Sequence, residues 1–408
     1  MLKLTTRLLR TAACAHGLWG AAAQADTITF WVNAPMVPNA QAPLYDEIRA
    51  FEAQTGHKVN LQAIPFQELE KRLFVALGGG SGPDVMAIDN AWLAAYADAG
   101  VLADLTDRTR SVASQYQPGP LASGRFQGRL YALPWYTNNV ALFVNNDMLK
   151  AAGFSAPPKN WTEFRAVAKA MRGLGADKYG LAMGAGRFGV FQMTSFVWQN
   201  GGELVDDAGQ VRVGEPAVAE TFQLFTDMYR VDKSIPDTVL TAQSWDEVFA
   251  PFLQSRAGML ISGDWTIGTI KRVSPNLNYS IVPLPAGKRA ATVIGGFNLA
   301  VNAKTKSPAA ADLVLFLTGP RSVEAMRKAD RLSAHMTATT AEAIAKLPET
   351  QRPFMSQAAA GRARPSIAIW AEVHSSILSP AWDASVRGLV TPQAAVQKAA
   401  SEIAAKMK

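Results

Sequence analysis

One cysteine in 408 residues, Cys14, leaves no partner for an intrachain disulfide and no basis for a cysteine-rich metal site. Histidine is almost as scarce. His16, His57, His335 and His374 stand singly, with no H-E-x-x-H and no acid–histidine cluster at metal-ligand spacing, so no metal and no cofactor is expected. There is no Walker A pattern, and Gly79-Gly80-Ser81-Gly82-Pro83 lacks the final glycine of a nucleophile elbow. Carboxylate pairs such as Asp206-Asp207 occur, but a chain with 33 acidic residues supplies some, and a glycosidase pair has no sequence spacing of its own. The chain is read as a non-enzyme. Beyond the N-terminal segment no apolar run approaches the roughly twenty residues of a membrane span. The net charge of +7 falls to +4 without Lys3, Arg7 and Arg10, and it is spread too evenly to mark a nucleic-acid partner.

Those three basic residues belong to a segment unlike the rest. They open the chain without any acid, a small and apolar run follows from Thr11 to Ala23, and Ala23-Gln24-Ala25 has the small-x-small form cut by a signal peptidase. Residues 1–25 are predicted to be a secretion signal and the mature protein to be periplasmic, soluble and monomeric. Lipoprotein anchoring at Cys14 is disfavoured, because Thr11 stands where an aliphatic residue is usual and little apolar chain precedes it.

What remains exceeds one comfortable core, so two lobes are expected. Thr27 to Val32 alternates as a strand ending in Asn33. Leu44, Ile48 and Phe51 keep helical spacing up to Gly56, and Val59, Leu61 and Ala63 alternate again. Leu69, Leu73 and Leu77 mark a second helix, and Val85 to Ile88 is a strand delivering Asp89, Asn90 and Trp92. Strand, helix, strand, helix, strand is the grammar of an open α/β sheet, whose ligands sit beyond the carboxyl ends of strands.

The stretch Leu130 to Asn145 is expected to hold two apolar strands joined by Trp135, Tyr136, Thr137, Asn138 and Asn139, a connection suited to stacking on a ligand while hydrogen-bonding its edge. Gly258 to Ser262 is a further strand running into Asp264 and Trp265. Of ten tryptophans, Trp31, Trp92, Trp135, Trp265 and Trp370 fall at strand ends or helix starts. Sugar rings present flat C–H faces that pack on indole, and their hydroxyls need amide and carboxylate partners such as Asp89, Asn90, Asn138 and Asp264. Gly184-Ala185-Gly186-Arg187-Phe188-Gly189 is formally G-x-G-x-x-G. The turns at Gln199–Glu203 and Asp206–Gly209 stand where a dinucleotide fold needs its second strand, so a loop facing a cleft fits better.

GPDVMAIDNAWLAAYADAGVLADLT resembles a segment of the extracellular solute-binding proteins that serve ABC importers, in the sugar-binding family of maltose-binding protein. IRAFEAQTGHKVN, LPWYTNNVALFVNNDMLKAAGF, AGMLISGDW, IGGFNLAV and the C-terminal ARPSIAIWAEVHSSILSPAWDASVRGLVTPQAAVQKAASEIAAKM follow in the family's order. The resemblance implies a two-lobed periplasmic-binding-protein fold, each lobe a mixed sheet flanked by helices, with the ligand cleft between them. It implies residues 26–137 and 296–346 in one lobe and 138–295 and 347–408 in the other, with crossings near Thr137, Ile294 and Leu347. It further implies carbohydrate as ligand and ABC permease subunits as partners. Trp265 and Trp370 match the stacking aromatics. Asn33, Asp89 to Trp92, Trp135, Tyr136 to Asn138, Asp264, Phe297 and Asn298 complete the candidate ligand-binding residues. Two departures, Asn138 at a carboxylate position and Ile88 at a tryptophan position, argue against simple transfer of maltose specificity. The same fold binding glycerol phosphate or a polyamine, and a secreted carbohydrate-active enzyme, stay as alternatives.

Overall fold

A computed structural model describes residues 25–37, 42–206 and 208–407; Cys14 and all of the expected signal but Ala25 lie outside them. Strand β1 (Thr27–Asn33), helix α1 (Pro43–Thr55), β2 (Lys58–Ile64), α2 (Phe66–Gly78) and β3 (Val85–Asp89) follow the expected alternation, with β1 parallel to both β2 and β3. Helix α1 buries Leu44, Ile48 and Phe51 and stops where Gly56 turns left-handed at φ 79°, a conformation that costs glycine nothing. Helix α2 buries Leu69, Leu73 and Leu77 in the same way.

The central stretch is not two strands with a turn. Residues Ala132–Asn145 form a single strand, β4, buried along its whole length except at Asn138. Downstream come β5 (Tyr179–Ala182), helices α3 (Gly186–Gln199) and α4 (Trp245–Leu253), β6 (Ala257–Gly263), β7 (Tyr279–Val282), β8 (Thr292–Val301) and the short β9 (Leu332–Ser333) and β10 (Gly361–Ala363). These ten strands make one mixed sheet, ordered β2-β1-β3-β8-β4-β6-β5, with β7 and β9 also on β4 and β10 on β8. The first half of β4 pairs antiparallel with β8, the second half with β6 and β7.

Helices flank this sheet around two separate apolar cores. Phe30, Leu73, Ile88, Leu133, Leu299 and Leu313 belong to the first; Phe143, Phe164, Phe196, Ile261, Phe354 and Val396 belong to the second. Strand β4 enters the second core from Val140 onward, and β8 runs from Val293 in the second core to Phe297–Val301 in the first. A strand shared by two cores has no solvent to turn into, which is why the aromatic connection is extended backbone. Asn139, buried within it, is satisfied by the Phe354 carbonyl (3.0 Å) and the Gln357 amide (2.7 Å). Leu332 and Leu347 both pack in the second core, while Ala329 packs on the first.

Gly295 and Gly296 lie in the middle of β8. Gly296 has φ 123°, and a Cβ there would sit 2.3 Å from the Tyr136 carbonyl oxygen. Gly296→Ala is therefore expected to lower stability by about 2 kcal/mol through backbone strain and steric conflict. Urea unfolding followed by circular dichroism measures it, and an unchanged midpoint would contradict this account.

Candidate functional site

Strand ends collect the polar candidates. β1 ends at Asn33, β3 at Asp89 with Asn90 and Trp92 just beyond, and β6 at Gly263 with Asp264 and Trp265 beyond. Asn33 Nδ2 donates to the Tyr136 hydroxyl at 3.2 Å. The Tyr136 ring stacks on Phe297 (centroids 5.5 Å apart, 24° between planes), Phe297 meets Trp92 and Phe66 edge-on, and Trp92 stacks on Phe66 at 5.8 Å. These rings form one aromatic wall.

A second wall gathers around Trp265, 5.7 Å from Trp245 on α4 and 6.2 Å from Phe191 on α3. The Gly-Asp-Trp motif acquires a physical reason here. A Cβ on Gly263 would lie 1.9 Å from the Trp265 ring, so only glycine lets the indole fold back across the strand end. Gly295 plays the same part for Asn138, whose Oδ1 occupies the space of a side chain, with Phe191 next to it. The two walls are joined by Arg364. Its Nη2 donates to the Asp89 carboxylate and the Asn90 amide oxygen, and its guanidinium lies 5.3 Å from the Phe191 centroid.

Among the described residues, twelve buried side-chain polar atoms have no hydrogen-bond partner, and eight of them fall here: Asn33 Oδ1, Asn138 Oδ1, both Asp264 oxygens, Trp265 Nε1, Arg364 Nε, Trp370 Nε1 and His374 Nε2. Each costs free energy where it stands, and buried polar atoms elsewhere in the protein are mostly paired. Burial pushes the Asp264 carboxyl up to about 6. Arg331 opposes that rise, as do the backbone N–H groups of Asp264 and Trp265, which lie close by but outside hydrogen-bond geometry. Burial drives the His374 imidazole down to about 3, helped by Arg364 and Arg187, so the ring is neutral at working pH. Burial, then Asp89, raises Glu70, while Arg187 and Arg364 lower it. Carboxylates (Glu70, Asp89, Asp264 and Asp330) and guanidiniums (Arg187, Arg331 and Arg364) are thus interspersed here rather than gathered into a cluster of one sign.

The structure brings together Asn33, Asp89, Asn90, Trp92, Tyr136, Asn138, Asp264, Trp265 and Phe297. Three other candidates are placed differently. Trp135 is the extra residue of a bulge, since Phe297 pairs with Tyr136 and Asn298 with Pro134; its ring goes into the first core against Phe30. Asn298 spends its amide on the Ser123 carbonyl (3.0 Å) and hydroxyl (3.2 Å). Trp370, matched to a stacking aromatic, is buried in the second core and stacks on His374, leaving only its indole N–H unpaired. The start of α3 is also partly filled, because the Gly186 N–H is given to the Asp383 carboxylate at 2.6 Å. Sequence reading missed Arg364, Phe66, Phe191, Trp245 and His374. Arg364 and His374 sit within the quoted C-terminal motif, which was their only local signal.

The chain is 26% identical over 258 residues to a binding protein of Brucella abortus (strain 2308), covering 61% of each, so it spans about three fifths of the length of the first curated relatives it matches. It is 29% identical over 290 residues to the diacetylchitobiose binding protein DasA of Streptomyces coelicolor, covering 69% of this chain and 66% of that protein. The GacH receptor of Streptomyces glaucescens GLA.O, solved unliganded and with acarbose, superposes with a TM-score of 0.80 at 25% identity over 93% of this chain and 97% of the other. Residues 33–324 match the bacterial extracellular solute-binding proteins, and the chain belongs to that family.

Proposed function

We propose that this protein is the exported substrate-binding component of an ABC importer, which holds a disaccharide or oligosaccharide between its two lobes and passes it, chemically unaltered, to the membrane permease. The lobes are built on the two cores, with crossings at Thr137–Asn139, at Val293–Gly296 and between His335, which still pairs with Tyr116 of the first core, and Leu347 in the second. The single observation that carries the reading is the set of unpaired buried atoms set between aromatic walls. It contains four acceptors, on Asn33, Asn138 and Asp264, and three donors, on Trp265, Arg364 and Trp370, while His374 serves either way according to tautomer. Sugar hydroxyls donate and accept at once, and the C–H faces of the ring suit indole. A phosphate needs converging guanidiniums and a polyamine a ring of carboxylates; the mixed charges at this site favour neither. The diacetylchitobiose named for DasA and the acarbose held by GacH point the same way.

Intrinsic tryptophan fluorescence of the mature protein, titrated with mono- and oligosaccharides, glycerol phosphate and polyamines, tests this. A saturable change is expected with one sugar class, with the sugar recovered intact. A response to phosphate or polyamine alone overturns the ligand class, and a chemically altered sugar overturns the binding-protein reading.

A further inference from the structure

The segment after β10 runs between the two cores, and it holds on to both. Ile367 and Ile369 pack on the second core, whereas Ser366 Oγ donates to the Arg125 carbonyl at 3.2 Å, next to Phe126 on the first. Arg364 is the strongest of these ties. Its partner Asp89 ends a strand of the first core, and the ring beneath its guanidinium, Phe191, lies on a helix of the second. The Arg364 side chain is 9% exposed and that of Asp89 15%, so this pair is largely removed from water and weakly screened by salt.

The same contact decides which atoms Asp89 and Asn90 present. Asp89 Oδ1 accepts both from Arg364 and from the Ala91 N–H (2.9 Å), leaving Oδ2 as an acceptor. Asn90 turns its Oδ1 to Arg364, leaving Nδ2 as a donor. An acceptor and a donor side by side match two neighbouring hydroxyls of a sugar ring.

We propose that Arg364 is a positioning residue that straps the two lobes together in the ligand-free protein and sets the hydrogen-bond polarity of Asp89 and Asn90. The strap stands on the two cores alone, and only the polarity depends on the carbohydrate reading. Both partners of Arg364 are protein groups, so the contact favours closure before ligand arrives, and ligand has correspondingly less closure left to drive.

Small-angle scattering of the ligand-free mature protein reads the strap without any sugar. Arg364→Met and Asp89→Asn are each expected to enlarge the radius of gyration, the double variant to enlarge it no further, and Arg364→Lys to recover part of the compactness. Sugar affinity is expected to fall at least about tenfold in Arg364→Met and to be partly rescued by lysine. Circular-dichroism melts establish that each variant folds. An unchanged radius in both single variants overturns the strap, and unchanged sugar affinity in Arg364→Met overturns the positioning role. If the wild-type protein responds to no sugar, the carbohydrate reading fails, and the scattering result still decides the strap.

Discussion

Replacing Trp265 with alanine is expected to weaken sugar binding nearly a hundredfold while leaving the fold intact. The indole lies back over Gly263, braced by Trp245 and Phe191, and it is only partly buried, so one face is left to cover a ligand. Covering a sugar face removes on the order of 100 Å² of apolar surface from water, which is about 2.5 kcal/mol. The unpaired Trp265 Nε1 adds a donor that the sugar satisfies and alanine lacks. Titration calorimetry reads the affinity. Trp135→Phe is the contrasting variant: that ring packs on Phe30 in the first core, so its replacement is expected to lower the melting temperature and leave affinity within about twofold. A Trp265→Ala protein that melts normally and binds sugar as tightly as wild type would mean the ligand lies elsewhere.

The strand ends were legible because their logic is local. Asn33, Asp89 and Asp264 each follow an apolar run of strand length, and in an α/β sheet that position faces a ligand cleft. The continuity of β4 was not legible. Burial on both faces removes the alternation that distinguishes a strand from a connection, and Asn138-Asn139 reads as a turn unless the Phe354 and Gln357 partners of Asn139, more than 200 residues away, are known. Asn298 misled for the converse reason, since its partner Ser123 is 175 residues distant. Arg364 reaches Asp89 across 275 residues, and no periodicity carries such a pairing. Trp370 shows the remaining gap: the sequence placed an aromatic at the right motif, but whether its face or only its N–H is free depends on packing against His374.

On the proposed function Asp264 serves ligand capture at a cost in stability, and Asp264→Asn is expected to separate the two. Both carboxyl oxygens are buried without partners, and burial holds the group at about 6 against an ordinary value near 3.8. A folded-state value raised above the unfolded one means that the charged form is penalised by folding. Stability contributed by the protonated carboxyl is therefore full below about pH 4 and lost as pH rises through about 6. The slope approaches about 1.4 kcal/mol per pH unit across that window. The asparagine variant carries no charge to desolvate, so its ligand-free form is expected to be about 2 kcal/mol more stable at pH 7 and to lack this fall between pH 4 and 6. Sugar hydroxyls donating to the carboxylate favour its ionised form. Binding by the wild type is therefore expected to weaken below about pH 6, by up to tenfold per pH unit, while the variant binds at least about tenfold more weakly at pH 7 with a flat profile. Thermal melts and calorimetry at pH 5, 6 and 7 measure both halves. A variant that is destabilised at pH 7, or whose affinity keeps the wild-type pH slope, would show that Asp264 is not the group linking the cost of burying its carboxylate to capture of the sugar.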